Sequence, residues 1–204
     1  MVMASETNTA RARPRKPAKP RVRPWTRADL ARLPNDGNRY EVLDGALLVT
    51  PQPSYGHQSV ALHLAMALQT YVGHVGTAHV VGPGAVPFGE NELQPDVQVI
   101  PGPRGPGGTW TNLPAPILVA EVLSKSSRRY DLGRKLEAYL ARVRVPTVWV
   151  VDHKKREVHV IESDATPRVE RATLVWQAPG APEPLVIELP VFFREALGES
   201  GAPR

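Results

Sequence analysis

An apolar run interrupted by a single acid is the feature that most constrains this fold. Residues 117–123 read ILVAEVL, a length and composition typical of a strand that is covered on both faces. Glu121 lies inside that run, where a lone carboxylate is costly unless a proton, a cation or a metal compensates it. The residues that follow, as far as Tyr139, predict a helix. The fold must therefore supply a partner for Glu121.

The predicted helix begins at Ser126 or Ser127, either of which can cap it, and extends to about Val143. Lys135 lies at the edge of the apolar stripe of this helix, so its ammonium could reach Glu121. The simpler interpretation is a surface ion pair with Asp131, four residues earlier, which contributes roughly 0.3–0.5 kcal/mol. The residue pattern alone favours neither interpretation.

The flanking sequence predicts further strands and helices in a recognisable order. Two hairpins are expected, one around Asp44 and Gly45, which suit a type I′ turn, and one in the region 147–162. The other expected elements are a helix at 25–33, a helix at 57–72, strands at 77–81, 93–100, 171–176 and 185–189, and a helix at 192–197. This order predicts one α/β domain, residues 25–197, in which helices flank a mixed β-sheet.

The basic character of the chain belongs to its first residues. The net charge is +5 and the isoelectric point about 9.7, values that suggest a nucleic-acid partner. Residues 1–24 hold seven basic residues and one acid and so carry +6, which leaves −1 for residues 25–204. We expect residues 1–24 to be a disordered, proline-rich tail. It either contacts phosphates non-specifically or is a solvated extension, and residues 198–204 form a second short tail.

Composition excludes several classes of protein and site. There is no cysteine, which excludes disulfides and thiolate metal sites. No stretch approaches the roughly 20 apolar residues of a membrane span, and the first ten residues lack the apolar core of a signal peptide. We therefore expect a cytoplasmic protein without a membrane partner, although the absence of cysteine fits an oxidising compartment too.

Three carboxylates in or beside predicted strands are candidates for chemistry: Glu41, Asp96 and Glu121. Oxygen ligands of this kind suit Mg²⁺, and Asp96 and Glu121 could meet on one face if their strands are adjacent. The simpler interpretations are an acid at a strand edge for Asp96 and a buried partner of an arginine for Glu121. His57 could point into such a site, but a capping or packing role is the commoner one. No histidine pair has the spacing of a helical zinc site, and no Gly-x-Ser-x-Gly motif is present.

Several short motifs, taken together, resemble those of a known family. They are YEVLDGALLV, PQPSYGH before a helix, QPDV, LVAEVLSKSS, DLGRKLEAY and VPTVWVVD. In this order they resemble the Uma-two family of predicted restriction endonucleases, and the resemblance covers about residues 25–190. It implies the restriction-endonuclease-like core of the PD-(D/E)xK nucleases.

The resemblance also implies a divalent-metal phosphodiesterase site that holds Mg²⁺ or Mn²⁺. Asp96, in the PD motif, and Glu121 would be the metal ligands, and the backbone carbonyl of Val122 would add a third. Glu41 matches the acid of the first hairpin and would complete the site.

The site lysine departs from the pattern of the wider superfamily, which places it two residues after the second acid. Leu123 stands there in this chain. The resemblance implies that Lys135, on the following helix, takes that role, and Lys125 is its competitor. Tyr139 would pack against the lysine stem or belong to the core.

These expectations leave three functions open. The leading one is a Mg²⁺-dependent DNA endonuclease, and the second is a catalytically silent nucleic-acid-binding or protein-interaction module. The third is a metal-dependent nuclease that acts on RNA or branched DNA. A homodimer is expected only by analogy with other nucleases of this fold.

Overall fold

A six-stranded mixed sheet lies at the centre of the protein in a computed structural model that describes residues 23–102, 109–124 and 127–199. Nearly all of the predicted tail, residues 1–24, lies outside these described residues. So do Lys125 and Ser126, and residues 200–204 of the predicted C-terminal tail.

The described residues form strands and helices close to the predicted ones. The strands are β1 Arg39–Leu43, β2 Ala46–Thr50, β3 Ala78–Val81, β4 Val86–Phe88, β5 Asn91–Leu93, β6 Val97–Pro101, β7 Leu118–Val122, β8 Thr147–Asp152, β9 Glu157–Glu162, β10 Arg168–Glu170, β11 Thr173–Trp176 and β12 Leu185–Glu188. The helices are α1 Arg27–Leu30, α2 Tyr55–Val75, α3 Arg128–Asp131, α4 Arg134–Glu137 and α5 Leu189–Ala196, with a 3₁₀ turn at Trp110–Asn112 and a π-helical segment at Ala138–Val143.

The central sheet has the strand order β10-β9-β8-β7-β6-β3. β7 and β8 are parallel and the other neighbours are antiparallel. Every residue of β7 and β8 is buried, as expected for strands that are covered on both faces. The apolar run around Glu121 therefore forms an interior strand, as the sequence predicts.

The predicted hairpin at Asp44 and Gly45 is confirmed, but it does not belong to the central sheet. Asp44 and Gly45 have φ values of 51° and 75°, which a type I′ turn requires. The hairpin belongs to a separate sheet of order β2-β1-β5-β4, and β11 and β12 form a third sheet. The described residues thus form three sheets, and the central one is the mixed sheet flanked by helices that the sequence predicts.

Apolar side chains cover both faces of the central sheet. On one face, Val97, Ala120 and Trp149 pack in a cluster with α2, α5 and the β11–β12 pair. On the other face, Val119 and Val150 pack with residues of β1 and the π-helical segment. Because side chains alternate along a strand, Glu121 shares the second face with Val119.

Two elements that were predicted to be continuous, one strand and one helix, are each interrupted in the structure. The expected strand at 93–100 is two strands in different sheets, because the Gln94 N–H donates to Glu41 Oε1 and Pro95 has no N–H for a ladder. The expected helix after Ser127 breaks at Gly133, whose φ of −127° and ψ of −108° are not helical. A Cβ at Gly133 would lie 2.9 Å from the Arg129 carbonyl oxygen.

Helix α2 is well defined at both ends. Ser54 caps its N-terminus by accepting a hydrogen bond from the His57 N–H, and Gly76, with φ of 73°, ends it. Although α2 has 21 residues, none of the helices in the described ranges combines the length and apolar character that crossing a membrane requires.

The alternation along β11 predicts opposite outcomes for neighbouring substitutions. Leu174 is 1% exposed and Val175 is 45% exposed. Leu174→Ala should lower the free energy of unfolding by about 2–5 kcal/mol, because it leaves a cavity in the core. Val175→Ala, the matched control, should change it by less than about 0.5 kcal/mol. Urea unfolding measures both, and equal effects would show that β11 does not pack on the core as described.

Candidate active site

A cleft of about 190 Å³ lies at one end of the central sheet. Charged and titratable side chains dominate its lining. They are Arg39, His57, Asp96, Glu121, Asp131, Lys135, His153 and Lys154. The cleft thus brings together residues from β1, α2, the start of β6, β7, α3, α4 and the turn after β8.

Antiparallel pairing of β6 with β7 places Asp96 beside Glu121. Val97 is opposite Ala120, so extending the register by one residue sets Asp96 opposite Glu121. The Val122 N–H donates to Asp96 Oδ2 at 2.8 Å. Gly82 packs so closely that a Cβ there would lie 2.2 Å from the Asp96 carbonyl oxygen. The strands that carry the two acids are therefore adjacent, as the prediction required, and Gly82 allows its own segment to approach the backbone of Asp96 closely.

Asp96 is buried among positive and donor groups. Arg39 Nη2 lies 2.7 Å from Oδ1, and His57 Nε2 lies 3.2 Å from Oδ2. Burial alone would raise the pKa of Asp96, but the hydrogen bond from His57 and the charge of Arg39 outweigh it and lower the pKa. Asp96 is therefore an ionised carboxylate at neutral pH.

Glu121 has the opposite electrostatic character. Its side chain is 3% exposed, and the Tyr139 hydroxyl donates to Oε1 at 2.8 Å. Burial raises the pKa of Glu121 well above its ordinary value. The negative charges of Asp131 and Asp96 oppose the effect of Lys135 and raise the pKa further. The pKa of Glu121 is thus shifted in the direction opposite to that of Asp96.

Lys135 lies at the point where three carboxylates converge. Its Nζ lies 2.8 Å from Glu41 Oε2, 3.3 Å from Asp131 Oδ1 and 3.5 Å from Glu121 Oε1. Burial would lower the pKa of Lys135, but the surrounding carboxylates outweigh it and raise the pKa. The pair with Asp131 is present but buried, so the surface interpretation is wrong and the ammonium faces the site.

Glu41 connects the second sheet to this cluster. It lies on β1, is fully buried and accepts a hydrogen bond from the Gln94 N–H at 2.8 Å. Its other oxygen, Oε2, pairs with Lys135. The site therefore spans the interface between the two sheets, with its lysine on α4.

The donor set suits a hard divalent cation. Four buried carboxylates, Glu41, Asp96, Glu121 and Asp131, face two obligate cations, Arg39 and Lys135. When all four acids are ionised, the cluster has a formal charge of −2. Among the described residues, no group of three or more acids or histidines is placed to hold a metal ion. Mg²⁺ usually binds one or two carboxylates and keeps several waters, so Asp96 and Glu121 are the carboxylates to consider as candidate ligands.

The roles predicted for Asp96, Glu121, Lys135, Glu41 and Val122 all stay predictions. Val122 lines the cleft, and its N–H donates to Asp96. Lys125, the competitor of Lys135, lies outside the described residues.

Several residues that line the cleft were given no role in the site predicted from the sequence. The sequence could have identified Arg39, because the alternation of side chains along a strand places it on the same face of β1 as Glu41. For His57 the sequence had a partial signal, since the Ser54 cap fixes the first turn of α2 next to a loop. For His153 and Lys154 it had none, because their position depends on the parallel pairing of β8. Burial lowers the pKa of His153, and the nearby His57 and Lys154 lower it further.

Comparison with a solved structure supports the same architecture. A structure described as "a putative nuclease belonging to DUF820 from Anabaena variabilis" aligns with a TM-score of 0.71 and 22% sequence identity. The alignment covers 85% of this chain and 99% of that chain. At this identity the likeness shows a shared fold, which is restriction-endonuclease-like. No curated protein matches the chain.

The family comparison confirms the resemblance carried by the sequence motifs. Residues 27–190 match the family described as "Uma2: Putative restriction endonuclease". These residues make up most of the 204-residue chain and include Glu41, Asp96, Glu121 and Lys135. This chain therefore belongs to the Uma2 family.

Proposed function

We propose that this protein is a nuclease that hydrolyses phosphodiester bonds in DNA with the help of Mg²⁺ or Mn²⁺. One observation carries the proposal: Asp96, Glu121 and Lys135 come from separate elements and line one cleft. The description of the family as restriction endonucleases supports DNA as the substrate.

The ion would be held by the carboxylates of Asp96 and Glu121 and by the backbone carbonyl of Val122. When bound, it supplies Lewis-acid polarisation of the scissile phosphate and lowers the pKa of a coordinated water. The oxygen donors of these residues are of the kind that Mg²⁺ prefers, which supports this assignment.

The protein's own residues prepare the site for that role. Arg39, His57 and the Val122 N–H fix the position and ionised state of Asp96. The Tyr139 hydroxyl orients Glu121, which must release its proton to act as a ligand.

Lys135 supplies the positive charge for the transition state. Glu41 and Asp131 anchor its ammonium, so it is charged and oriented before substrate binds. A fixed charge of this kind stabilises the negative charge that develops on the phosphate oxygens, at no cost of reorganisation.

A second candidate function is a catalytically silent binding module on the same fold. It is favoured by the position of the Lys135 ammonium, which already neutralises part of the carboxylate cluster without a metal. In that case divalent ions would neither stabilise the protein nor support cleavage.

Substitution of the two central residues tests the nuclease. Glu121→Gln and Lys135→Met should each lower the rate of Mn²⁺-dependent cleavage of plasmid DNA by about 100-fold or more, the loss expected for one preorganised charged group. Glu121→Gln should also abolish the rise in melting temperature that Mn²⁺ gives the wild type, because ligand binding to the native state stabilises it.

The matched controls lie on the same helix as Lys135. Glu137 and Arg134 are exposed, so Glu137→Gln and Arg134→Met should keep wild-type cleavage and metal-induced stabilisation. Cleavage by Glu121→Gln at the wild-type rate would refute the proposed site. Absence of both cleavage and metal stabilisation in the wild type would favour the silent module.

The raised pKa of Glu121 predicts a pH dependence of stability in metal-free protein. The folded carboxyl keeps its proton above the ordinary value of 4.5, whereas the unfolded chain releases it. The native state therefore binds more protons, and stability falls as pH rises. Relative to Glu121→Gln, the wild type should lose up to about 1.4 kcal/mol per pH unit above that value. Urea unfolding between pH 5 and 8.5 measures this difference, and parallel curves for the two proteins would contradict it.

The basic N-terminal residues are proposed to add non-specific affinity for DNA. The deletion should stop at residue 22, because Arg23 pairs with Asp29 at 2.7 Å. Residues 1–22 include six Lys and Arg residues. Each phosphate contact contributes about 0.9 to the slope of the logarithm of the DNA association constant against the logarithm of the salt concentration. Removal of these six residues should therefore make that slope shallower by up to about 5. Fluorescence anisotropy with a labelled duplex measures the slope, and an unchanged slope would exclude this role.

A further inference from the structure

Three lysine and arginine side chains line the cleft, and two of them are already paired with acids. Arg39 pairs with Asp96 at 2.7 Å, and Lys135 contacts three carboxylates. The third, Lys154, lines the cleft and is exposed, and no carboxylate in the described part of the chain pairs with it. Its charge is therefore the one in this lining that is available to a ligand.

The turn between β8 and β9 holds three consecutive cations, Lys154, Lys155 and Arg156. Lys155 Nζ lies 3.7 Å from Glu157 Oε1, and Arg156 pairs with Glu199. Of the three, Lys154 is the one that lines the cleft. A run of like charges is often no more than a solvated face, but here each cation has its own surroundings, and those of Lys154 are the cleft.

Hydrogen bonds to Asp152 fix the shape of this turn. Asp152 Oδ1 accepts from the N–H groups of Lys154 at 3.2 Å and Lys155 at 3.1 Å, a pattern typical of Asp at the start of a turn. Arg128 Nη1 lies 2.6 Å from Asp152 Oδ2. Burial raises the pKa of Asp152, but the hydrogen bonds from Arg128 and from the Lys155 N–H outweigh it and lower the pKa. Asp152 is thus an ionised acceptor that holds the backbone of Lys154 in place before any ligand binds.

The register of the central sheet places the turn at the mouth of the cleft. Val150 is the partner of Glu121 in the parallel pair of β7 and β8. β8 continues for two more residues, to Asp152, which is roughly 7 Å further at 3.3 Å per residue. Lys154 follows that point, so its backbone lies farther out than the acids of the site.

The position of Lys154 suits a contact with an anionic substrate. Carboxylates line the interior of the cleft, and an ionised one such as Asp96 repels the phosphates of a nucleic acid. Lys154 lies close enough to this lining for its charge to act on His153, whose pKa is lowered by burial, by His57 and by Lys154. Lysine binds phosphate as a point charge, so a cation at the mouth offsets the repulsion where the strand enters.

We propose that Lys154 contacts a backbone phosphate next to the scissile one and so holds the substrate strand across the mouth of the cleft. The identity of the scissile phosphate rests on the proposed nuclease function, whereas the contact itself needs no cleavage. A phosphate contact positions the strand and carries no sequence information. Because the contact is the same in the ground state and the transition state, its loss should raise KM and leave kcat unchanged.

The salt dependence of DNA binding tests the contact in the full-length protein. Fluorescence anisotropy with a labelled duplex, without divalent ions, gives the slope of the logarithm of the association constant against the logarithm of the salt concentration. Lys154→Met should make that slope shallower by about 0.9, the contribution of one phosphate contact. Lys155→Met, the matched control from the same turn, should leave it unchanged. Lys154→Arg keeps the charge and should keep the wild-type slope.

Cleavage kinetics with Mn²⁺ give a second readout. Lys154→Met should raise KM for the duplex by about 2- to 5-fold, as expected for one exposed charge contact, with kcat unchanged. The basic N-terminal residues are common to all variants, so differences between variants report on the turn alone.

The two readouts separate this proposal from the nuclease proposal. A wild type that does not cleave, with a shallower slope in Lys154→Met, would refute the nuclease and support the phosphate contact. Cleavage by the wild type with an unchanged slope in Lys154→Met would overturn the contact and leave the nuclease standing. An equal loss of slope in Lys155→Met, a fall in kcat at unchanged KM in Lys154→Met, or no measurable binding of the duplex by the wild type would each overturn the contact too.

Discussion

The buried ammonium of Lys135 is the interaction on which the arrangement of the site depends. It joins Glu41 of the second sheet, Glu121 of the central sheet and Asp131 of α3. Removing ions from water costs several kcal/mol each, and an ion pair repays this only when its geometry is good and its remaining atoms are bonded. Glu41 meets that condition, because the Gln94 N–H donates to Oε1, the oxygen that does not pair with Lys135. The Tyr139 hydroxyl adds a donor to Glu121 Oε1, the oxygen that faces Lys135. Loss of Lys135 would leave three buried acids without their shared cation.

The two acids proposed as ligands have pKa values shifted in opposite directions. Asp96 has its pKa lowered by His57 and Arg39 despite burial, whereas burial and the neighbouring carboxylates raise the pKa of Glu121. Pairs of carboxyl groups whose pKa values are pushed apart are typical of acid–base and metal chemistry. Here the raised pKa of Glu121 favours its protonated form, which limits the charge repulsion within the carboxylate cluster.

Local sequence patterns predicted the elements well and their assembly less well. The Asp44-Gly45 turn and the apolar run around Glu121 each have a local physical cause, and both are confirmed. The split at Gln94 and Pro95 depends on a hydrogen bond to Glu41, some 50 residues earlier in the chain. Asp131 is buried beside Lys135, which also contacts Glu41 and Glu121 from distant segments, whereas helical spacing alone made Asp131 resemble a surface partner. Contacts between distant segments decided both of these cases.

The most direct test of the central claim is a crystal structure of the protein grown with Mn²⁺, examined by anomalous scattering. The account predicts one strong peak within coordination distance of both Asp96 and Glu121, at about 2.0–2.3 Å for a small hard divalent ion. Lys135 should remain paired with Glu41 in that structure. A peak away from these two carboxylates, or no peak while the Lys135 cluster keeps its present contacts, would contradict the proposed metal site.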